Sequence, residues 1–88
     1  MNEEAAQALS LQALAYLAAD EHRLGALIAQ CGWTLSDLRA GVNDPVVLAG
    51  VLDFLLGHEK WLIEFCNTAD YPLDAPTRAR RRLPGADQ

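Results

Sequence analysis

The sequence predicts an all-α protein: a compact bundle of five to six helices forming a single domain over residues 1–85, with residues 86–88 as a C-terminal tail. Three observations support this fold class. Apolar residues make up 51% of the 88 residues, which suffices for one hydrophobic core but leaves no room for a second. No stretch alternates polar and apolar residues with the period of two that is typical of strands. Helix-capping residues stand at nearly every break between apolar segments.

The first two predicted helices follow one another closely. Asn2 can cap a first helix that runs through Ala5–Ala19, a segment rich in the strong helix formers Ala, Leu and Gln. Asp20 then restarts the chain as a new cap. The second helix ends at Cys31, because Gly32 is suited to the backbone conformation that ends many helices.

Two further helices are predicted in the middle of the chain. Thr34–Asp37 has the pattern of a capping box with Asp in place of the usual Glu, and Gly41 closes this short third helix. Asp44–Pro45 places a cap before a proline at the first position of the fourth helix, which ends near Gly57.

The last two predicted helices complete the count of six. A fifth helix covers Glu59–Ala69. A sixth begins at the Asp74 cap with Pro76 in its first turn, and Leu83–Gly85 stops it.

An internal repeat organises these helices into two similar units of about 38 residues. Displacing the chain by 38 residues aligns leucine, aromatic and glutamate positions of the two halves. The aligned pairs are Leu14 with Leu52, Tyr16 with Phe54, Leu17 with Leu55, Glu21 with Glu59, Leu24 with Leu62, Leu27 with Phe65, Trp33 with Tyr71 and Leu35 with Leu73. A single unit cannot bury its own apolar face, so the two units are expected to pack against each other.

Two segments are apolar on nearly all sides and are therefore predicted to be the central helices. Between Leu11 and Ala19 only Gln12 is polar, apart from the amphipathic Tyr16. Between Val46 and Leu56 only Asp53 is polar. Helices of this kind lie in the middle of a bundle, so residues 5–19 and 45–57 should be the most buried.

The charge distribution disfavours general binding to nucleic acids and membranes. Residues 1–77 carry three basic and eleven acidic side chains (−8), whereas residues 78–88 carry four arginines and one aspartate (+3), which gives the net charge of −5. An acidic body repels phosphate backbones and anionic lipids.

Three features bear on the cellular location. The acidic N-terminus lacks the pattern of a secretory signal, and no apolar run reaches the ~20 residues of a membrane span. The two cysteines are too few for a disulfide scaffold, which suits a reducing cytoplasm. A cytoplasmic location is expected.

The sequence contains no complete catalytic or metal-binding motif. His58–Leu62 begins like the zinc-protease motif HExxH but lacks its second histidine. The spacing of His22 and His58 from Cys31 and Cys66 also fails to match closely spaced zinc ligands. We therefore expect no enzyme activity, metal or cofactor, and expect the two cysteines to stay reduced as small packing residues.

A set of small residues surrounds Asp53 on the predicted fourth helix. A glycine inside a helix costs about 0.5–1 kcal/mol of stability relative to alanine. Close approach of another helix to Gly50, from this chain or a second copy, is expected to offset this cost. If Asp53 lies at such a contact, its carboxylate needs a donor, such as Arg39 or Trp33 Nε1. The alternative is the solvent-exposed stripe of a buried helix. The candidate face for self-association into a homodimer consists of Ala49, Gly50, Asp53 and Gly57.

The C-terminal arginine cluster is the main candidate functional site. In a helix, Arg78, Arg81 and Arg82 lie on one face, with Arg80 to the side. Such a face can dock an acidic protein partner or a phosphate group. The alternative is structural: the cations stabilise the negative end of the last helix or fold back over the acidic body.

Three segments carry a resemblance to a known family. They are the Leu-x-Phe-Leu motif at Leu52–Leu55, the turn at Trp33–Arg39 and the closing arginine-rich helix. With them the sequence resembles small alphaproteobacterial proteins grouped as the domain-of-unknown-function family numbered 3572, from Glu3–Ala5 to about Leu83–Gly85. The resemblance implies a cytoplasmic bacterial protein, and a link to signalling through the cell-cycle response regulators beside which members are encoded. It implies no activity, cofactor or catalytic residue.

Together these features favour a small, non-catalytic, cytoplasmic protein–protein interaction module, linked to bacterial signalling or cell-cycle regulation. Its candidate docking face is the cluster of Arg78, Arg80, Arg81 and Arg82. Two alternatives stay open at this point: a nucleic-acid-associated regulatory protein that uses the same cluster, and a small enzyme or ligand-binding protein.

Overall fold

The computed structural model describes residues 1–85, which form six α-helices and no strand. The helices are α1 (Glu3–Ala18), α2 (Glu21–Cys31), α3 (Leu35–Ala40), α4 (Pro45–Leu56), α5 (Glu59–Ala69) and α6 (Ala75–Arg80). The predicted all-α class is therefore confirmed, and α2 and α5 have the bounds that the caps predict. The tail predicted at residues 86–88 lies outside the described residues.

Side chains cap the starts of the first four helices. The predicted caps that accept a backbone N–H are Asn2, Asp20, Thr34 and Asp44. The capping box is complete: Thr34 Oγ1 accepts from the Asp37 N–H at 3.1 Å, and Asp37 Oδ2 accepts from the Thr34 N–H at 2.9 Å. Asp74 also precedes its helix as predicted, but its side chain makes no capping bond. The local pattern in the sequence therefore determines where most of these helices begin.

Helices α1 and α4 form the centre of the bundle and pack against each other. Each of the two carries more buried residues than any of the remaining four helices. The four leucines predicted to be buried are indeed buried: Leu14, Leu17, Leu52 and Leu55. Of the six helices in residues 1–85, none combines the length and the apolar character that a membrane span requires.

Helix α6 packs closely on both central helices through small side chains. Ala75, Pro76 and Ala79 are buried, and α6 packs on both α1 and α4. Small residues allow this close approach of one helix to two others. The packing brings the end of α6 beside α4 and so determines where the arginine cluster lies.

The two halves of the chain share the bounds of one helix pair, α2 and α5, but differ in packing. Helix α5 begins and ends 38 residues after α2, and the two end at left-handed residues, Gly32 (φ +72°) and Asp70 (φ +61°). Aspartate tolerates this conformation better than most residues, because its short polar side chain can hydrogen-bond locally. The third helices differ: α6 packs on both central helices, whereas α3 packs only weakly. Similarity of two structural units stays a prediction.

Truncation of a central leucine should destabilise the protein strongly. Leu17 is fully buried, so Leu17→Ala should lower the free energy of unfolding by about 2–5 kcal/mol, through lost burial and the cavity it leaves. The matched control is Leu35→Ala on α3, where the side chain is 50% exposed and the change should be within about 0.5 kcal/mol. Urea unfolding followed by circular dichroism measures both. Equal losses in the two variants would contradict this assignment of the core.

Candidate functional site

Three of the four clustered arginines line one depression on the surface. Helix α6 ends at Arg80, so the expectation that Arg78, Arg81 and Arg82 share a helix face is wrong for the last two, which lie in the following turn. The turn nevertheless keeps them together. Arg78, Arg81 and Arg82 are exposed and line a depression of about 330 Å³ with Met1. We call this surface the arginine depression.

The guanidinium groups of the arginine depression are largely available to solvent. Arg78 Nε lies 3.3 Å from Asp74 Oδ2 one helical turn away, and both side chains are about half exposed or more. Exposed pairs of this kind stabilise a protein by only about 0–1 kcal/mol. Arg81 and Arg82 make no ion pair with any residue in the described range 1–85. A carboxylate or phosphate of a partner can therefore reach these groups.

Arg80 belongs to a different environment and does not line the arginine depression. Its Nε donates to Asp53 Oδ1 at 2.7 Å and its Nη2 donates to Asp53 Oδ2 at 3.2 Å. Arg80 is therefore the donor for Asp53, and the expectation that Arg39 or Trp33 Nε1 fills this role is wrong. The sequence could not reveal this pair, since the two residues are 27 positions apart and meet only because α6 packs on α4.

The candidate self-association residues do not form one exposed face. Ala49 is buried in the core, Asp53 is paired with Arg80, and Gly57 is the C-cap beyond the end of α4. Gly50 lies under the indole of Trp33 from the same chain. Self-association stays a prediction, but these four residues offer no continuous surface for it.

The contact with Trp33 explains the glycine inside α4. A Cβ atom built at Gly50 would lie 2.7 Å from Trp33 Cη2 and 3.0 Å from Cζ2. The expectation of close approach at Gly50 is thus confirmed, but an indole from the segment between α2 and α3 makes the approach, not another helix. Packing of this large, half-buried ring against α4 offsets the low helix propensity of glycine.

The sequence analysis did not foresee that the rings of His22 and His58 both contact the Trp61 ring. His58 stacks on the Trp61 ring (centroids 5.0 Å apart), and His22 meets the same ring edge-on (6.0 Å). His58 Nδ1 donates to the Phe54 carbonyl at 2.8 Å. The i, i+3 spacing of His58 and Trp61 was the available signal. Within residues 1–85, no group of three side chains could hold a metal ion.

A second polar network joins α1, α2 and α5. The Tyr16 hydroxyl donates to Glu64 Oε1, and Arg23 lies over the Tyr16 ring (Cζ 4.0 Å from its centroid) while donating to the Tyr16 carbonyl. Burial first, and then the hydrogen bond to Glu64, raise the pKa of Tyr16 from 10.0 to about 12. The network borders a largely apolar groove of about 550 Å³ between α1 and α5, with Phe65 among its lining residues.

The comparison with protein families matches residues 3–86 to the family described as "Protein of unknown function (DUF3572)". The chain belongs to the DUF3572 family. No curated protein and no solved structure matches it significantly. The resemblance carried by the Leu-x-Phe-Leu motif, the Trp33–Arg39 turn and the arginine-rich end is therefore confirmed at the level of the family.

The two cysteines of this DUF3572 protein lie inside or at the edge of the core. Cys66 is buried and Cys31 is half-buried. Burial raises the pKa of both thiols, and a nearby carboxylate adds to the effect: Asp53 for Cys31 and Asp74 for Cys66. Both shifts disfavour the thiolate, which is the form that acts as a nucleophile.

Replacing Gly50 should destabilise the DUF3572 protein. A leucine at this position would force the Trp33 indole out of its place, so Gly50→Leu should lower the free energy of unfolding by about 1–3 kcal/mol. Gly25→Ala in α2 is the control, since nothing lies within 4 Å of a Cβ there, and it should gain about 0.5–1 kcal/mol. Urea unfolding measures both variants. A Gly50→Leu variant with unchanged stability and unchanged mass by light scattering would contradict the role given to Trp33.

The raised pKa of Tyr16 makes stability depend on pH in the alkaline range. The folded protein holds this proton more tightly than the unfolded chain, so the stabilisation is present below pH 10.0 and is lost as pH rises towards about 12. We expect Tyr16→Phe to remove this part of the alkaline decline in urea-unfolding free energy. Tyr71→Phe leaves the pair of Tyr16 and Glu64 in place and should keep the wild-type profile. Identical profiles for Tyr16→Phe and wild type would contradict the assignment.

Proposed function

We propose that this DUF3572 protein is a non-catalytic interaction module that docks an acidic segment of a partner protein on the arginine depression. The observation that carries the proposal is the grouping of Arg78, Arg81 and Arg82 around one depression of about 330 Å³, on a chain whose net charge is −5. The non-catalytic part rests on the sequence, which contains no complete catalytic motif.

The chemistry of arginine favours a carboxylate-rich partner. Each guanidinium presents a planar fork of donors that matches a carboxylate bidentately, and it loses its hydration more readily than an ammonium group does. Three such groups around one depression can receive several acidic side chains of one segment. The attraction also speeds and orients the encounter, because opposite charges steer association at long range.

The acidic remainder of the chain favours a short acidic segment over a long nucleic acid. Residues 1–77 carry a formal charge of −8. A continuous phosphate backbone that extended beyond the arginine depression would meet this repulsive surface. A short peptide segment can end where the basic surface ends.

The resemblance to family members extends the proposal to the setting of the interaction. We propose a cytoplasmic role in bacterial signalling or cell-cycle regulation, in which the partner protein presents the acidic segment.

Binding of a defined acidic probe tests the proposal. A fluorescent oligoglutamate peptide should bind wild-type protein, and the triple variant Arg78→Ala, Arg81→Ala, Arg82→Ala should bind it about tenfold more weakly or worse, as measured by fluorescence anisotropy. Arg39→Ala removes one cation elsewhere on the exposed surface and should bind like wild type. In a bacterial lysate, an acidic protein should be captured by wild type and by Arg39→Ala, and lost with the triple variant.

Three other results would overturn the proposal. Unchanged peptide affinity in the triple variant would show that the arginine depression is not the docking site. Tighter binding to duplex DNA than to the peptide, falling steeply with salt, would favour the nucleic-acid alternative. A small molecule that copurifies with the protein and is released on unfolding would favour an enzyme or a ligand-binding protein.

A further inference from the structure

We infer that Asp53 and Arg80 are positioning residues for the arginine depression: Asp53 holds the Arg80 guanidinium, which in turn holds the backbone that carries Arg81 and Arg82. The inference rests on the proposed function for its biological meaning. The geometry that supports it concerns only α4, α6 and the turn that follows α6.

The guanidinium of Arg80 uses all three of its nitrogens. Nε and Nη2 donate to the two carboxylate oxygens of Asp53, at 2.7 and 3.2 Å. Nη1 donates to the Pro84 carbonyl at 2.9 Å and lies 3.4 Å from the Leu83 carbonyl. The Arg80 side chain is only 17% exposed. Arg80 thus bridges α4 to the backbone of the turn and is not available to a partner.

The turn after α6 is fixed at both of its ends. On the helix side, the Arg82 N–H donates to the Ala79 carbonyl at 3.0 Å, and the Leu83 N–H donates to the Arg80 carbonyl at 3.2 Å. On the far side, the Leu83 side chain is buried in the core and the Pro84 carbonyl is held by Arg80. Arg81 and Arg82 lie between these anchors, so their backbone has little freedom.

Gly85 allows the backbone to close over the guanidinium. Its φ is +89°, a conformation that L side chains rarely adopt, and a Cβ built there would lie 3.1 Å from Arg80 Nη2. The chain therefore passes tightly against Arg80 after Pro84. A larger residue at this position would therefore press on the Arg80 guanidinium.

A fixed turn assists docking because a partner then has less chain to order when it binds. The three guanidinium groups of the arginine depression are presented together before the partner arrives. Lysine is not equivalent to Arg80, since all its donors lie on one nitrogen and cannot reproduce the paired bonds to both Asp53 oxygens together with the bond to the Pro84 carbonyl on another side of a planar guanidinium. The pair also accounts for Asp53, the single polar residue between Val46 and Leu56.

The first measurement needs no partner. Amide hydrogen exchange at Arg82 and Leu83, followed by NMR, should accelerate on the order of tenfold in Asp53→Asn and in Arg80→Lys, because the turn opens locally. Exchange at Leu52 in the core should stay as in wild type, which separates local opening from global unfolding. Asp70→Asn is the matched control: it removes the same charge from an exposed residue that makes no ion pair within residues 1–85, and it should leave the turn unchanged.

The second measurement is the affinity for the oligoglutamate peptide. Asp53→Asn removes a negative charge near the arginines, so electrostatics alone would strengthen binding of an acidic peptide. We expect the opposite, a loss of roughly threefold to tenfold in both Asp53→Asn and Arg80→Lys, because the arginines are no longer held together. Asp53→Glu keeps a carboxylate that can accept both bonds from Arg80 and should restore most of the affinity. Asp70→Asn should bind as well as wild type or better.

The outcomes separate this inference from the proposed function. If the triple arginine variant loses affinity while Asp53→Asn and Arg80→Lys bind and exchange like wild type, docking stands and the positioning role is wrong. If the triple variant binds like wild type, the proposed function fails and the positioning role fails with it. Faster exchange of the turn together with unchanged affinity would also overturn the positioning role.

Discussion

The need to cover α4 on nearly all sides organises this small protein. Helix α4 is apolar around most of its circumference, and water would contact that surface if neighbouring elements did not cover it. Helices α1, α2, α5 and α6 all pack on it. Two positions of α4, Gly50 and Asp53, interrupt its large apolar side chains at the surface. The Trp33 indole lies over Gly50 and Arg80 pairs with Asp53, so side chains from two distant segments add to the cover of this helix.

This arrangement divides the C-terminal arginines into two kinds. Arg80 is enclosed because it faces α4, whereas Arg78, Arg81 and Arg82 face solvent around the arginine depression. In a sequence the four residues form one basic run, and an electrostatic argument treats them alike. In the fold, Arg80 contributes to the packing of α6 and of the turn that follows it. The other three concentrate positive charge at one site on a protein whose net charge is −5.

The sequence predicts those features of this protein that depend on residues close together along the chain. The caps at Asn2 and Asp20 and the burial of α1 and α4 follow from local patterns. The end of α6 does not, because the arginines are good helix formers and the helix stops where Leu83 turns into the core before Pro84. Pairs such as Asp53 with Arg80 depend on how helices pack. A carboxylate in an apolar helix shows that a partner is needed without showing which residue it is.

Within residues 1–85, the arginine depression and the core are therefore joined by a polar connection that can be followed atom by atom. It runs from Asp53 on the central helix through the Arg80 guanidinium to the Pro84 carbonyl, and so to the turn that carries Arg81 and Arg82. The exposed arginines can change without loss of core packing, because they bury little surface and their ion pairing is weak. Arg80 has no such freedom, since its replacement leaves both a carboxylate and a carbonyl without their donor.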